Sequence, residues 1–259
     1  MHPNKNLGQH WLHDSDVLES ICDQAQLTPG DTVLEIGPGL GTLTRHLAPR
    51  VSQVIALEFD PQLARQLQQQ PIAPNVAVQH ADILKFDLST LPGGYKVVAN
   101  LPYYITSKIT RLLLESPNPP QLATVLVQKE VAQRMAALPG DMSILAVSVQ
   151  FYCDVQLGPI VPAALFTPPP QVDSQVITLI RRATPLFTDV SPEEFFAIVR
   201  AGFSEKRKKL RNSLSGGLRL EKPAAEQLLA QASISPDARA EQLTLADWHK
   251  LATIYKEQS

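Results

Sequence analysis

The stretch "TVLEIGPGLGTLT", residues 32–44, decides the fold. A β-type run, Thr32 to Ile36, stops at three glycines set two apart, Gly37, Gly39 and Gly41, and a helix-like segment begins at once. Glycines there allow positive φ and let a backbone come close to a ligand, with the next helix N-terminus nearby. A plain tight turn would use the same residues, so the surrounding pattern has to choose. Between residues 32 and 127 "TVLEI" is followed by "TLTRHLA", "QVIALE" by "DPQLARQLQQQ", "VAVQH" by a loop, "YKVVA" by "TSKITRLLLES" and "LATVLVQ" by "KEVAQRMAAL". This alternation predicts an α/β domain in which β-α units wind a mostly parallel sheet.

Two further β-prone runs, "ILAVSVQFYCDVQL" and "SQVITLIRR", have no convincing helix between them and read as an antiparallel hairpin at the sheet edge. A turn-rich stretch, "RRATPLFTDVSPEE", then breaks the pattern. After it only helices are expected. "SPEEFFAIVRAGF" offers Ser191 as N-cap, Pro192 at the first helical position and Glu194 for a capping box, and "KPAAEQLLAQA" and "TLADWHKLATIYKEQ" continue in helical periods. The expected division is residues 1–184 for the α/β domain and 185–259 for a small all-helical one.

Composition narrows the classes. Of 259 residues 44% are apolar, enough for a proper core. Cys22 and Cys153 form no C-x-x-C pair, so the chain reads as a reduced cytosolic protein without a disulfide scaffold or a metal site. The N-terminus has no apolar stretch of a signal peptide, and runs such as "ILAVSV" fall far below the ~18 residues of a membrane span. With 23 Lys+Arg against 25 Asp+Glu the formal charge is -2. Any affinity for nucleic acid must therefore come from a local patch.

Two acids sharpen the reading of the glycine loop. Glu58 ends the second strand, where a carboxylate can accept both hydroxyls of a ribose, and Asp82 ends the third, where it could accept from an adenine amine. Either acid alone could be no more than a helix cap. The spacing G-x-G-x-G lacks the third glycine of the dinucleotide fingerprint, which leaves a NAD dehydrogenase as the weaker alternative.

The fourth strand runs into "NLPYY", residues 100–104. Pro102 cannot donate a backbone hydrogen bond, holds φ near -65° and biases Leu101 toward an extended conformation. The Leu101 carbonyl can then lie beside the Asn100 side-chain oxygen, and two such acceptors can bind the two hydrogens of one amino group. Tyr103 offers a ring face for a base, a contact worth ~1–3 kcal/mol. An exocyclic amine held this way becomes more pyramidal and more nucleophilic, and sheds its proton easily once alkylated.

The ordered set "NLGQHWL", "EIGPGLG", Glu58, "HADIL", "NLPYY", "LFTPPPQVDS" and "FSEKRKKLRNSL" resembles the small-subunit ribosomal RNA adenine dimethyltransferases over nearly the whole chain. The resemblance implies a Rossmann-like S-adenosylmethionine-dependent methyltransferase domain with the helical domain binding RNA. It places S-adenosylmethionine against His10, Leu12, Gly37, Gly39, Glu58, Asp82, Ile83 and Asn100. It gives the target amine to Asn100 and Leu101 ahead of Pro102, and it sandwiches the flipped base between Tyr103 and Phe166. The implied substrate is two adjacent adenines near the 3′ end of small-subunit rRNA, modified in the cytoplasm by a monomer that needs neither metal nor membrane. Macrolide-resistance methylases of large-subunit rRNA are the alternative within the fold, and a non-catalytic RNA-binding assembly factor is the alternative from another class. In "FSEKRKKLRNSL" the cations Lys206, Arg207, Lys208, Lys209 and Arg211 stand against one acid, Glu205, and form the expected RNA patch. On a continuous helix Arg200, Arg207, Lys208 and Arg211 would share one face, with Phe203, Leu210 and Leu214 on the core side.

Overall fold

A computed structural model describes residues 8–205 and 207–258. By its contacts the chain divides into one unit of residues 1–133 and 153–181 and a second of residues 134–152 and 182–259.

In the first unit a short strand β1 (Trp11–Leu12) and helix α1 (Ser15–Gln24), capped by the Asp14 side chain on the Val17 N–H, precede the sheet. There follow β2 (Thr32–Ile36), α2 (Thr42–Leu47), β3 (Gln53–Glu58), α3 (Pro61–Gln69), β4 (Val76–His80), β5 (Lys96–Asn100), α4 (Thr106–Glu115) and β6 (Leu122–Gln128). All five expected strands form, and they pair in parallel. Helix α5 (Lys129–Met135) leads to α6 (Ile144–Tyr152), β7 (Cys153–Val161), a two-residue strand β8 (Phe166–Thr167) and β9 (Ser174–Arg181). The seven-stranded order is β4-β3-β2-β5-β6-β9-β7, with β9 antiparallel to both β6 and β7. Strand order reverses at β2, so a crevice opens past the carboxyl ends of β2 and β5. β1 and β8 form a separate antiparallel pair, Trp11 opposite Thr167 and Leu12 opposite Phe166.

The hairpin expectation is half right. β7 and β9 do pair at the edge, but the first half of "ILAVSVQFYCDVQL" is helix α6. An almost wholly apolar run has no period to separate buried strand from buried helix. The cap settles it: the Ser143 hydroxyl accepts from the Ala146 N–H, and Ser143 C=O accepts from the Val147 N–H.

α6 belongs to the second unit, so residues 134–152 are a correction to the expected 1–184 domain. With it pack α7 (Pro192–Gly202), α8 (Leu210–Leu218), α9 (Lys222–Gln231) and α10 (Leu245–Gln258). Phe151, Phe195, Leu210, Leu214, Leu229 and Trp248 form their core. The expected capping box at α7 is present: the Glu194 N–H reaches Ser191 Oγ at 3.2 Å and the Ser191 N–H reaches Glu194 Oε2 at 2.8 Å. The continuous helix through the basic run is not. α7 stops at Gly202 and α8 starts at Leu210, so the shared face of Arg200, Arg207, Lys208 and Arg211 does not exist, although Leu210 and Leu214 are fully buried as expected.

Helices α7 and α8 meet at Gly217, where an added Cβ would lie 2.6 Å from Ala201 Cα. Gly217→Ala should destabilise the protein by about 1–3 kcal/mol through overpacking. Gly216→Ala, which meets nothing within 4 Å, should instead stabilise by up to ~1 kcal/mol from helix propensity. Urea midpoints of the two variants check this.

Candidate active site

One pocket of about 290 Å3 lies at the carboxyl ends of β2 to β5. His10, Leu12, Gly37, Gly39, Glu58, Asp82, Ile83, Asn100, Leu101, Pro102 and Tyr103 all line it. Residues far apart in sequence meet here because each follows a strand end, or, for His10 and Leu12, because β1 is tied to β8.

The glycine loop takes the conformation its composition allows. Gly39 has φ +59° and Gly41 φ +75°, and the indole of Trp11 sits 3.3 Å from where a Gly39 Cβ would be. A side chain at Gly39 would be strained and would push Trp11 away. The loop is tethered to the next strand: the Gly39 N–H donates to Glu58 Oε2 at 2.9 Å, and the Asp60 N–H donates to Oε1 at 2.8 Å. Glu58 is 5% exposed, and burial raises its carboxyl above the usual carboxylate range against the pull of those N–H groups. With the Phe59 N–H also bonding the carboxyl, it still keeps acceptor capacity for a further donor. Asp82 accepts from the Leu84 N–H at 3.0 Å through Oδ1, so it caps its own turn with one oxygen. Ile83 forms a buried apolar wall beside it.

A residue absent from the sequence reading stands beneath the loop. Glu35, on β2, lines the pocket, is 1% exposed and accepts from the Thr44 hydroxyl at 2.6 Å. Burial pushes its carboxyl up to about 8; the Thr44 bond opposes this and the Glu58 charge adds to it. The signal was available, since alternation along β2 points residue 35 to the same side as Val33 in an otherwise apolar strand.

At β5 the amide of Asn100 donates from Nδ2 to the His10 carbonyl at 3.1 Å. A carbonyl can only accept, so this contact assigns the amide orientation and leaves Oδ1 as the free end. The Leu101 N–H bonds to Leu126 C=O at 3.1 Å, Pro102 has φ -59° and ψ 127°, and the Leu101 carbonyl has no donor among the described residues. The Tyr103 hydroxyl shares a hydrogen bond with Ser174 Oγ at 2.6 Å, and burial raises the phenol above its ordinary value. The His10 ring stacks on Tyr103, centroids 5.7 Å apart and 19° between planes, and its Nδ1 lies 2.7 Å from the Pro168 carbonyl. Ser174, like Glu35, was not anticipated. It stands at the end of "PPPQVDS".

Phe166 corrects an expectation. Opposite Leu12 in the β1–β8 pair, it is 2% exposed and packs into the core of the first unit with Leu12, Val161 and Val176. It does not line the pocket. The basic run lies in the second unit, and Lys206 falls outside the described residues. Lys208 pairs with Glu205 at 3.2 Å, Lys209 with Asp237 at 3.0 Å, and Arg211 with both Glu226 and Asp237. Arg207 is exposed and makes no ion pair among the described residues. Among those residues no cluster of His, Cys, Asp or Glu could hold a metal ion, and no helix is long and apolar enough to cross a membrane.

The chain is similar to known proteins over nearly its whole length. The family model described as ribosomal RNA adenine dimethylase matches residues 1–257. A ribosomal RNA small subunit methyltransferase A of Dehalococcoides mccartyi is 45% identical over 257 residues, covering 98% of this chain and 88% of the relative. One of Alkaliphilus oremlandii is 40% identical, covering 96% and 90%. Among solved structures, a dimethyladenosine transferase from Plasmodium falciparum superposes with TM-score 0.83 at 26% identity, covering 96% of this chain and 98% of its own. The 23S rRNA methyltransferase ErmE superposes with TM-score 0.75 at 32% identity, covering 95% and 99%.

Glu35 sets a pH dependence. The folded chain holds a proton that the unfolded chain releases at an ordinary carboxyl value, so this contribution favours folding at low pH and is lost as pH rises from about 4.5 to about 8. Glu35→Gln keeps an acceptor for Thr44 and should reduce the loss of urea stability across that range. Glu58, shifted in the same direction, should account for part of the slope that remains.

Proposed function

Because this chain belongs to the ribosomal RNA adenine dimethylase family, we propose that it dimethylates the exocyclic 6-amino groups of two adjacent adenines in the 3′-terminal hairpin of small-subunit rRNA, using S-adenosylmethionine, during ribosome biogenesis. The observation that carries this reading is the pair of acceptors at the end of β5. Asn100 Oδ1 and the Leu101 carbonyl both have no donor among the described residues, and they stand next to an aromatic ring held by Ser174. Two acceptors on one amine draw its lone pair out of conjugation, and this interaction strengthens as the nitrogen becomes tetrahedral. Tyr103 supplies the stacking face for an adenine taken out of its helix.

S-adenosylmethionine, when bound, supplies an electrophilic methyl on a positively charged sulfur. The pocket suits such a ligand. Glu35 and Glu58 are buried carboxyls held above their ordinary values, and a cation beside them would favour their ionised forms. Glu58 retains acceptor capacity for ribose hydroxyls, and Asp82 Oδ2, outside the turn bond, is available to an adenine amine. We place the reaction in the cytoplasm and the enzyme as a monomer, with no metal in the chemistry.

The likeness to ErmE keeps large-subunit rRNA as the second reading. Against it stand the whole-length relatives named for the small subunit. Transfer of labelled methyl groups to small subunits lacking the modification, with mass spectrometry to locate the label, separates the two. Label appearing only on large-subunit RNA would transfer the assignment, and label on neither would leave an RNA-binding assembly factor.

Three sets of variants follow from these roles. Glu58→Ala and Asp82→Ala should each weaken S-adenosylmethionine binding by roughly 1–3 kcal/mol in calorimetry, the scale of a lost hydrogen bond to a charged group. Asn100→Ala should still bind cofactor and, at saturating cofactor, lose orders of magnitude in single-turnover rate. Arg207→Ala should leave cofactor affinity intact, weaken subunit binding and flatten the slope of log affinity against log salt by up to ~0.7–0.9, one phosphate contact.

A further inference from the structure

His10 is where three segments of the first unit meet. Its carbonyl holds the Asn100 amide, its ring lies on Tyr103, and its Nδ1 is bonded to Pro168 of the proline-rich stretch. A carbonyl oxygen cannot donate, so Nδ1 carries the proton of that bond, which fixes both the tautomer and the plane of the ring. The β1–β8 ladder one residue further on holds the backbone of this segment against Phe166 and Thr167. Ser174 fixes the hydroxyl end of the Tyr103 ring, and His10 is the aromatic contact on its face.

We propose that His10 is a positioning residue for the target base: held by Pro168, its imidazole sets the angle at which Tyr103 presents its ring beside the Asn100 and Leu101 acceptors. This rests on the adenine-binding reading above. An offset, nearly parallel pair at this separation is a favourable aromatic arrangement. A residue that can bond Pro168 but has no ring could not impose it. Because the Asn100 contact uses the His10 backbone, replacing the side chain leaves the amide orientation in place and isolates the effect on Tyr103.

The test uses small subunits lacking the modification, at saturating S-adenosylmethionine, with cofactor affinity measured separately by calorimetry. His10→Asn should lower kcat about 10- to 100-fold at saturating cofactor, the scale of a misplaced reactant, with the thermal midpoint unchanged. His10→Phe, which keeps a ring on Tyr103 but loses the Pro168 bond that sets its plane, should recover only part of that loss. In a Tyr103→Ala background, His10→Asn should cost nothing further in kcat, since the group it acts through is gone. A loss confined to cofactor affinity, with kcat unchanged, would overturn the proposal. Equal losses in the parent and Tyr103→Ala backgrounds would also overturn it, as would a His10→Asn enzyme that keeps full kcat. A parent protein that transfers no methyl group to small subunits overturns the adenine reading itself, an outcome distinct from all of these.

Discussion

The reversal of strand order at β2 is the constraint on which the site depends. β3 and β4 lead away on one side of β2 and β5 and β6 on the other, so the connections leaving their carboxyl ends diverge and no backbone fills the space between. The groups expected to meet a ligand mostly stand at or just past one of those ends: Gly37 and Gly39 after β2, Glu58 closing β3, Asp82 after β4, Asn100 closing β5. Once the topology exists, the chemistry needs only one or two residues per strand. The Gly39-to-Glu58 hydrogen bond then ties the loop of the first strand to the end of the second, so the loop that would meet a ligand and the acid that would hold it move as one piece.

Burial and charge work against each other inside this crevice. Glu35 and Glu58 sit where two carboxylates repel and neither is well solvated, and both are shifted toward the neutral form. Such an arrangement lowers the stability of the empty protein at neutral pH. The same pair gives a cationic ligand more than a hydrogen-bonding partner, because ionisation that is costly without the ligand becomes favourable with it. A cationic ligand would thus recover the stability given up in the pocket, as expected where a fold keeps strain at its site.

Most of the sheet was legible because β-prone runs and amphipathic helices alternate with caps at their junctions, and each local signal agrees with the topology. Asn100 and Glu58 were legible for the same reason, as polar residues at the ends of apolar strands. What was not legible depended on partners distant in sequence. Glu35 is one letter in "TVLEI" until Thr44 and Glu58 close over it. Ser174 gains meaning only from Tyr103, and Phe166 is drawn into the core by the two-residue ladder with β1, which has no periodicity of its own. The helix over residues 144–152 escaped because uniform hydrophobicity suits either element, and its neighbours in the second unit decided between them.

The basic run shows the limit of counting charges along a chain. Within "FSEKRKKLRNSL" the local balance is strongly positive, yet Asp237 and Glu226, from segments further on, stand against Lys209 and Arg211. The Asp237 carboxyl is held below its ordinary range first by the Lys209 hydrogen bond and then by the charges of Lys209 and Arg211. These pairs are solvated and screened, so opening one to accept a phosphate costs little, but it also returns less than a cation with no partner would. In a chain of formal charge -2, attraction to RNA must then be weighted toward the cations that the fold leaves unpaired. Arg207, in the turn between α7 and α8 rather than on a helical face, is such a cation among the described residues.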